Sequence, residues 1–249
     1  MKVKSIRTHK ITASDKDILE IVGKYTKGLK ENSILAVTSK IVSICEGRVI
    51  KQNGVGKEKL IKKECDWYLP SKSNKYNVAL TIKNNIMVSS AGIDASNGNG
   101  FYVLWPADPQ EAANKIRKYL QQKYNLKNTG VIITDSKSNL LRRGASGIAI
   151  AHSGFSALNN YMGKCDCFGY KLKMTKADVV DSLAISAVLV MGEGAEQKPM
   201  AVISDIPFVK FCRSNPSSKE LSELKVKMDD DYHRLLLKSV KWKRGGCGR

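Results

Sequence analysis

Three stretches of the sequence place acidic or small polar residues directly behind an apolar run. They are Ala91-Gly92-Ile93-Asp94-Ala95-Ser96-Asn97, Ile133-Thr134-Asp135-Ser136 and Met191-Gly192-Glu193-Gly194-Ala195-Glu196. A carboxylate at the end of a buried element is held rigidly while its oxygens face a cleft. Hard cations such as Mg²⁺ and Mn²⁺ take oxygen ligands presented in that way, and Mg²⁺ usually combines one or two carboxylates with phosphate oxygens and water. Convergence of Asp94, Asp135 and Glu193 would make a one- or two-metal site able to clamp a triphosphate. Singly, each stretch has a plainer reading: Asp94 with Asn97 as an Asx turn, Asp135 as a cap, Gly192 as an ordinary helix C-cap. The joint occurrence at element ends is what points to a site.

Other chemistries find little support. Gly54-Val55-Gly56-Lys57 suggests a phosphate-binding loop, but Glu58 stands where Ser or Thr must bind the metal. Lys51 also replaces the first glycine of that spacing. No G-x-G-x-x-G follows a strand and no G-x-S-x-G occurs, which disfavours a dinucleotide fold and a hydrolase elbow. His occurs only at 9, 152 and 233, and His152 in an apolar strand reads as a core histidine. Six scattered Cys, with one Cys165-x-Cys167 and no Cys-x-x-Cys, do not make a zinc site and suit a reduced, cytoplasmic compartment.

The elements that must position the acids follow from pattern. Lys2 to Ile11 reads as a strand, and Ser14 or Asp15 as the cap of a helix carrying Ile18, Leu19, Ile21 and Val22. Ser33 to Cys45 is rich in β-branched residues and reads as a long strand ending at Glu46-Gly47. Lys57 to Leu69 reads as an amphipathic helix. Val78–Ile82 and Ile86–Ser90 are strand-like runs about the turn-prone Asn84-Asn85. Asp108 and Pro109 open a helix to about Tyr124. Gly130–Thr134, Gly147–Ala151 and Met200–Ile203 read as strands. Thr175 with Asp178 resembles a capping box before a helix that stops at Gly192. Strands and helices mix without strict alternation, which favours α+β over a doubly wound sheet.

Length and charge set the frame. The 249 residues carry 42 Lys+Arg and 23 Asp+Glu, a net +19, with 42% hydrophobic and 26% charged residues, a globular balance. The longest near-apolar stretch, Ala184 to Met191, is far short of the roughly 20 residues that span a bilayer. The N-terminus has no apolar signal-peptide core. Such a charge favours anionic partners. The basic clusters are local, however: Lys57/Lys59/Lys62/Lys63, Arg142/Arg143 and Lys238/Lys241/Lys243/Arg244. Aromatics are only 7%, few for stacking nucleic-acid bases. A solvated lysine-rich surface is the leading reading, and nucleic-acid binding through the tail Lys243 to Arg249 is a remote rival.

Taken together, the motifs resemble the coenzyme F-420-0:γ-glutamyl ligases, and within them the folate-metabolism γ-glutamate ligase subgroup. The resemblance rests on Ser39, Ser43, Glu46-Gly47-Arg48, Ala91 to Asn97, Leu104-x-Pro106-x-Asp108-Pro109, Val131 to Ser136, Arg142-Arg143-Gly144, Asp166-x-x-Gly169 and Ala184 to Pro199. These run in order from about Ile34 to Val202, and such an ordered string is highly specific.

The resemblance implies a two-domain α+β homodimer with mixed and antiparallel sheets, divided as a ligase core over 1–205 and a C-terminal helical segment with a basic tail over 206–249. It implies a GTP- or ATP-dependent ligase joining L-glutamate to an acceptor carboxylate through an acyl phosphate, with two Mg²⁺ or Mn²⁺ ions per site and K⁺ as a further cation. By position, Asp94 and Asp135 correspond to one metal site, and Ser136 and Glu193 to the second. His9, Lys10, Ile11 and Thr12, then Ser39 and Lys40, then Asn97, correspond to nucleotide contacts. So do Met191, Gly192, Gly194, Ala195, Glu196, Gln197 and Lys198. Arg142 and Arg143 are the candidates for neutralising the transferred phosphoryl group or clamping a carboxylate. Ile44 stands where the F-420 enzymes carry a nucleotide-contacting Lys, with Lys40 four residues earlier as its replacement. The segment Ser204 to Phe211 resembles the folate type, so a folate acceptor is expected first and an F-420-0-like acceptor second.

Overall fold

The computed structural model describes residues 1–248. Arg249, the last residue of the basic tail, lies outside them. In chain order the elements are β1 (Lys2–Ile6), α1 (Ile18–Tyr25), β2 (Ser33–Thr38), α2 (Ser39–Cys45), β3 (Val49–Lys51), α3 (Lys57–Glu64), β4 (Trp67–Leu69), β5 (Leu80–Lys83), β6 (Ile86–Ser89) and β7 (Phe101–Val103). They continue with α4 (Pro109–Tyr124), β8 (Thr129–Ser138), β9 (Ala145–Ser153), β10 (Leu158–Asn160), β11 (Lys176–Asp178), α5 (Val179–Met191), β12 (Met200–Ser204), α6 (Ser218–Glu223), α7 (Arg234–Lys238) and β13 (Lys243–Arg244). The fold is α+β with mixed and antiparallel sheets. No helix among the described residues is long and apolar enough to cross a membrane.

The main sheet has the order β1-β12-β2-β8-β9, and only the β2–β8 pair is parallel. Successive strand side chains point to opposite faces, so these strands feed two cores. Leu35, Val37, Val131 and Ile133 meet Ile21, Val22, Ile116 and Leu120 of α1 and α4 on one face. Ile34, Ala36, Ile132 and Ile203 meet Val180, Leu183, Ala184 and Ala187 of α5 on the other. Covered on both sides, β2 and β8 read as unbroken apolar runs. Each fully buried Ile or Leu contributes about 1.5–3 kcal/mol relative to exposure.

A smaller sheet, β13-β4-β5-β6, and the ribbon β3-β7 flank this layer. Their shared core is Leu60, Ile61, Cys65, Ala79, Ala91, Ile93 and Leu104. Asn84 and Asn85, at φ +52° and +66°, make the expected turn between β5 and β6. Residues 206–248 run back over the molecule. Ile206 and Val209 join the α5 core, β13 pairs with β4, and the amides of Gly245, Gly246, Cys247 and Gly248 donate to carbonyls between Lys62 and Asp66.

Several local expectations are corrected. The strand expected over Ser33–Cys45 stops at Thr38 and becomes helix α2, in which six of seven residues are buried. Packing between the main sheet and α1 overrides the β-branched preference. The helix expected over Lys57–Leu69 ends at Glu64, and Trp67–Leu69 turn into a strand. Helix α1 is capped by Asp17, whose side chain accepts from Leu19 N, not by Ser14 or Asp15. Helix α5 is capped by Asp178, not Thr175. Asp108 and Pro109 open α4 as expected.

Candidate active site

The ends of these elements open on one cleft of about 840 Å³ between the main sheet and β6. Strand β8 delivers Thr134, Asp135 and Ser136 to it, α2 delivers Lys40, Ile41 and Ile44, and the chain after β6 delivers Asp94, Ser96 and Asn97. The loop after α5 lines it from Met191 to Pro199, and the N-terminal segment from Thr8 to Thr12. Because α2 is a helix, Lys40 and Ile44 sit one turn apart and both reach the cleft, a relation the strand reading left open.

Asp94 makes the Asx turn that the sequence suggested, its Oδ1 accepting from Ser96 N at 2.8 Å. Its Oδ2 accepts from Lys40 Nζ at 2.6 Å, and the same ammonium donates to Ser96 O at 2.9 Å and Ser96 Oγ at 3.2 Å. Burial pushes the Asp94 carboxyl upward, but the Lys40 ammonium and the Ser96 donors outweigh it and hold it below the usual carboxylate range. Asp135, within β8 and so not a cap, behaves oppositely. Burial pushes it up to about 6, against the pull of the Trp105 indole and the Ser136 amide and with a further push from the charge of Asp94. Trp105 Nε1 donates to Asp135 Oδ2 at 2.5 Å. Ser136 Oγ donates to Glu193 Oε1 at 2.7 Å.

Among the described residues, no three His, Cys, Asp or Glu side chains stand together closely enough to hold one ion. The charge of Asp94 acts on Asp135, and Ser136 is hydrogen-bonded to Glu193, so the oxygen donors stand in the two pairs that the resemblance implied. The pairs fit hard cations by donor chemistry, since all are carboxylate or hydroxyl oxygens. They also fit by electrostatics: Asp135, raised by burial and by a neighbouring acid, is a carboxyl whose charged form a nearby cation would favour.

The loop after α5 turns at Gly192, at φ +83°, where a side chain would collide with the Glu196 carboxylate. Glu196 Oε2 accepts from Gly194 N at 2.8 Å, and Asn97 Nδ2 donates to Gly194 O at 2.9 Å, tying the loop across the cleft. Thr8 N donates to Gln197 O at 3.0 Å, which joins the N-terminal segment to the same loop. His9 has both ring nitrogens engaged, Nδ1 with Tyr25 OH at 2.8 Å and Nε2 with Asp15 Oδ1 at 2.9 Å. Thr12 N donates to Asp15 Oδ2 at 2.8 Å, the main reason the Asp15 carboxyl lies below its ordinary range. His9 is thus a strut within its own segment.

The structure brings His9, Lys10, Ile11, Thr12, Lys40, Asp94, Asn97, Asp135, Ser136, Met191, Gly192, Glu193, Gly194, Ala195, Glu196, Gln197 and Lys198 to one cleft. Ser39 is buried beneath it and absent from the lining. Arg142 and Arg143 stand on the exposed turn between β8 and β9, also outside the lining, because both strands project past the sheet as a ribbon. Sequence reasoning missed Trp105 and the lining residues Lys57, Ser89 and Ser90. Only Trp105 carried a signal, a large aromatic inside the Leu104-x-Pro106 motif.

Fold and cleft together are those of an enzyme, an α+β scaffold whose polar element ends open on one deep groove. A profile of the family F420-0:Gamma-glutamyl ligase matches residues 5–205. A protein named coenzyme F420:L-glutamate ligase from Methanococcus maripaludis is 32% identical over 235 residues, covering 88% of this chain and 91% of that relative. Relatives of the same name from Methanocaldococcus jannaschii and Archaeoglobus fulgidus are 31% and 30% identical, covering 77% and 75% of this chain and 83% and 80% of their own lengths. The chain belongs to the F420-0:gamma-glutamyl ligase family and is an enzyme of the ligase class.

Proposed function

We propose that the protein uses GTP or ATP to form an amide between the amine of L-glutamate and the carboxylate of an F-420-0-like acceptor. The observation that carries this is the convergence of Asp94, Asp135, Ser136, Glu193 and the Met191–Lys198 loop on one cleft within a chain of this family. The folate acceptor expected first takes second place, because the relatives named above are coenzyme F420:L-glutamate ligases.

Amide formation from a carboxylate needs a better leaving group than oxide. An acceptor carboxylate oxygen attacks the terminal phosphorus of the nucleotide, and the bond to the bridging oxygen breaks to release nucleoside diphosphate. The glutamate ammonium gives up one proton to become a nucleophile and attacks the acyl carbon; inorganic phosphate departs and the nitrogen releases its second proton to it or to solvent. The protein's part is positioning and charge stabilisation. Asp94 with Asp135, and Ser136 with Glu193, would hold the divalent cations. Bound there, such ions neutralise phosphate charge and polarise the transferred group. Lys40, Lys10 and Lys198 line the cleft and supply further positive charge toward the phosphates. The homodimer belongs to the same reading, with exposed Ile185 and Leu189 of α5 offering apolar surface for it.

The test incubates the purified protein with L-glutamate, Mn²⁺ and either nucleotide, against an F-420-0 acceptor and tetrahydrofolate in parallel. The expected result is an acceptor heavier by one glutamyl residue and stoichiometric nucleoside diphosphate. Ligation of tetrahydrofolate alone would restore the folate acceptor, and nucleotide hydrolysis without ligation of either would overturn the ligase assignment.

A further inference from the structure

Val103 and Trp105, two residues apart, each touch one half of the proposed Asp94–Asp135 pair. Val103 exchanges two backbone hydrogen bonds with Asp94, Asp94 N to Val103 O at 3.0 Å and Val103 N to Asp94 O at 2.8 Å. Two residues on, the indole of Trp105 donates to Asp135 Oδ2. Residues of one side-chain parity along this stretch thus fix the backbone of one acid and the side chain of the other.

Trp105 is itself fixed. It is 1% exposed, the largest of the fully buried side chains. Its indole nitrogen packs against Gly92, where an added Cβ would fall 2.0 Å from Nε1. Gly92 holds φ +72°, two residues before Asp94, so no other residue fits there without strain. Behind the ring, Arg48 Nε donates to Trp105 O at 3.1 Å, and Lys83 Nζ lies 5.5 Å from the ring centroid. Arg48 and Lys83 both donate to one oxygen of the buried Glu64, each at 2.8 Å. An indole N–H only donates, so it orients one carboxylate oxygen and leaves the remaining lone pairs of Asp135 open.

We propose that Trp105 is the positioning residue of the cation site, orienting the Asp135 carboxylate toward a divalent ion while the Arg48–Glu64–Lys83 cluster holds the indole in place. This rests on the ligase reading above. A buried indole N–H needs an acceptor in any case; here the acceptor is an acid that lines the cleft, so satisfying the indole also fixes that acid.

The test compares wild type with Trp105→Phe, which keeps the aromatic ring and removes the donor. The readout is Mn²⁺ affinity of the nucleotide-free protein by calorimetry, alongside the thermal midpoint. Supporting contacts of this kind typically change metal affinity about 10- to 100-fold. A loss of that size with a near-native midpoint is expected, and unchanged Mn²⁺ affinity overturns the proposal. A second measurement needs no variant at this position. In ¹⁵N-labelled wild type, with the other two indoles assigned through Trp67→Phe and Trp242→Phe, the remaining indole N–H resonance should shift as Mg²⁺ is titrated. A resonance that stays put overturns the proposal. Absence of any cation binding by wild type, with or without nucleotide, overturns the ligase reading and this inference with it. Binding by wild type that Trp105→Phe matches overturns the inference alone.

Discussion

The Ser136 hydroxyl donates to the Glu193 carboxylate across 2.7 Å and 57 residues of sequence, closing the end of β8 onto the loop beyond α5. Both groups are on the open side of the cleft, so the contact adds little to stability. If it is half of a cation site, Glu193→Gln removes the charge while keeping the shape. Mn²⁺ bound in the presence of nucleotide should fall from two ions to one. The kcat/KM for ligation should drop on the order of 100-fold or more, since such an ion is worth several kcal/mol in the transition state. Two ions retained in Glu193→Gln would remove this pair from the site.

Asp94→Asn addresses the other pair. The amide oxygen preserves the Asx turn to Ser96, and Lys40 retains its two contacts with Ser96. Circular dichroism and the thermal midpoint should therefore match wild type while metal-dependent turnover is lost. Activity close to wild type would withdraw Asp94 from metal binding.

The acids were legible because each stands where an apolar run ends, and that local pattern survives folding unchanged. Their grouping was legible only through the resemblance, which paired Asp94 with Asp135 and Ser136 with Glu193. The approach of strand β8 and the α5 loop from different sides is not encoded in any spacing. Helix α2 was misread for a related reason. Its Ile41 and Val42 favour a strand locally, and only the core they enter makes a helix the better choice. The cluster of Glu64, Arg48 and Lys83 was not legible as a unit, since Glu64 comes from α3, Lys83 from β5 and Arg48 from the turn before β3, and only Arg48 stood in a recognised motif.

That cluster carries a stability prediction. Glu64 and Lys83 are 3% and 7% exposed, and Arg48 shares the same carboxylate oxygen. Glu64→Ala leaves a buried ammonium without its counter-charge and should lower unfolding free energy by about 3–5 kcal/mol. Adding Lys83→Met removes the orphaned ammonium and should recover part of the loss, since Arg48 is partly exposed and keeps its bond to Trp105 O. Urea unfolding of the single and double variants measures both quantities. A double variant no more stable than Glu64→Ala would show that the buried ammonium is not the source of the loss.

His152 supplies a pH dependence separate from the cleft. It lies in β9 at 2% exposure, its ring edge-on to Phe155 at 5.4 Å. Burial drives its pKa down from 6.5 to about 4, opposed only weakly by Glu220. Between those values the unfolded chain binds a proton that the folded one refuses, so stability rises with pH across the window. Its contribution is whole above the unfolded value and is lost as pH falls toward the folded one. The total for this group is about 3 kcal/mol. Paired carboxylates such as Glu64 titrate below their ordinary range and add their own loss, so the comparison must be differential. His152→Phe keeps an aromatic ring and cannot charge. Its unfolding free energy, set against wild type in a series of buffers, should converge on or overtake the wild-type value as acidity increases. Parallel curves for the two proteins would mean that His152 accepts its proton in the folded state.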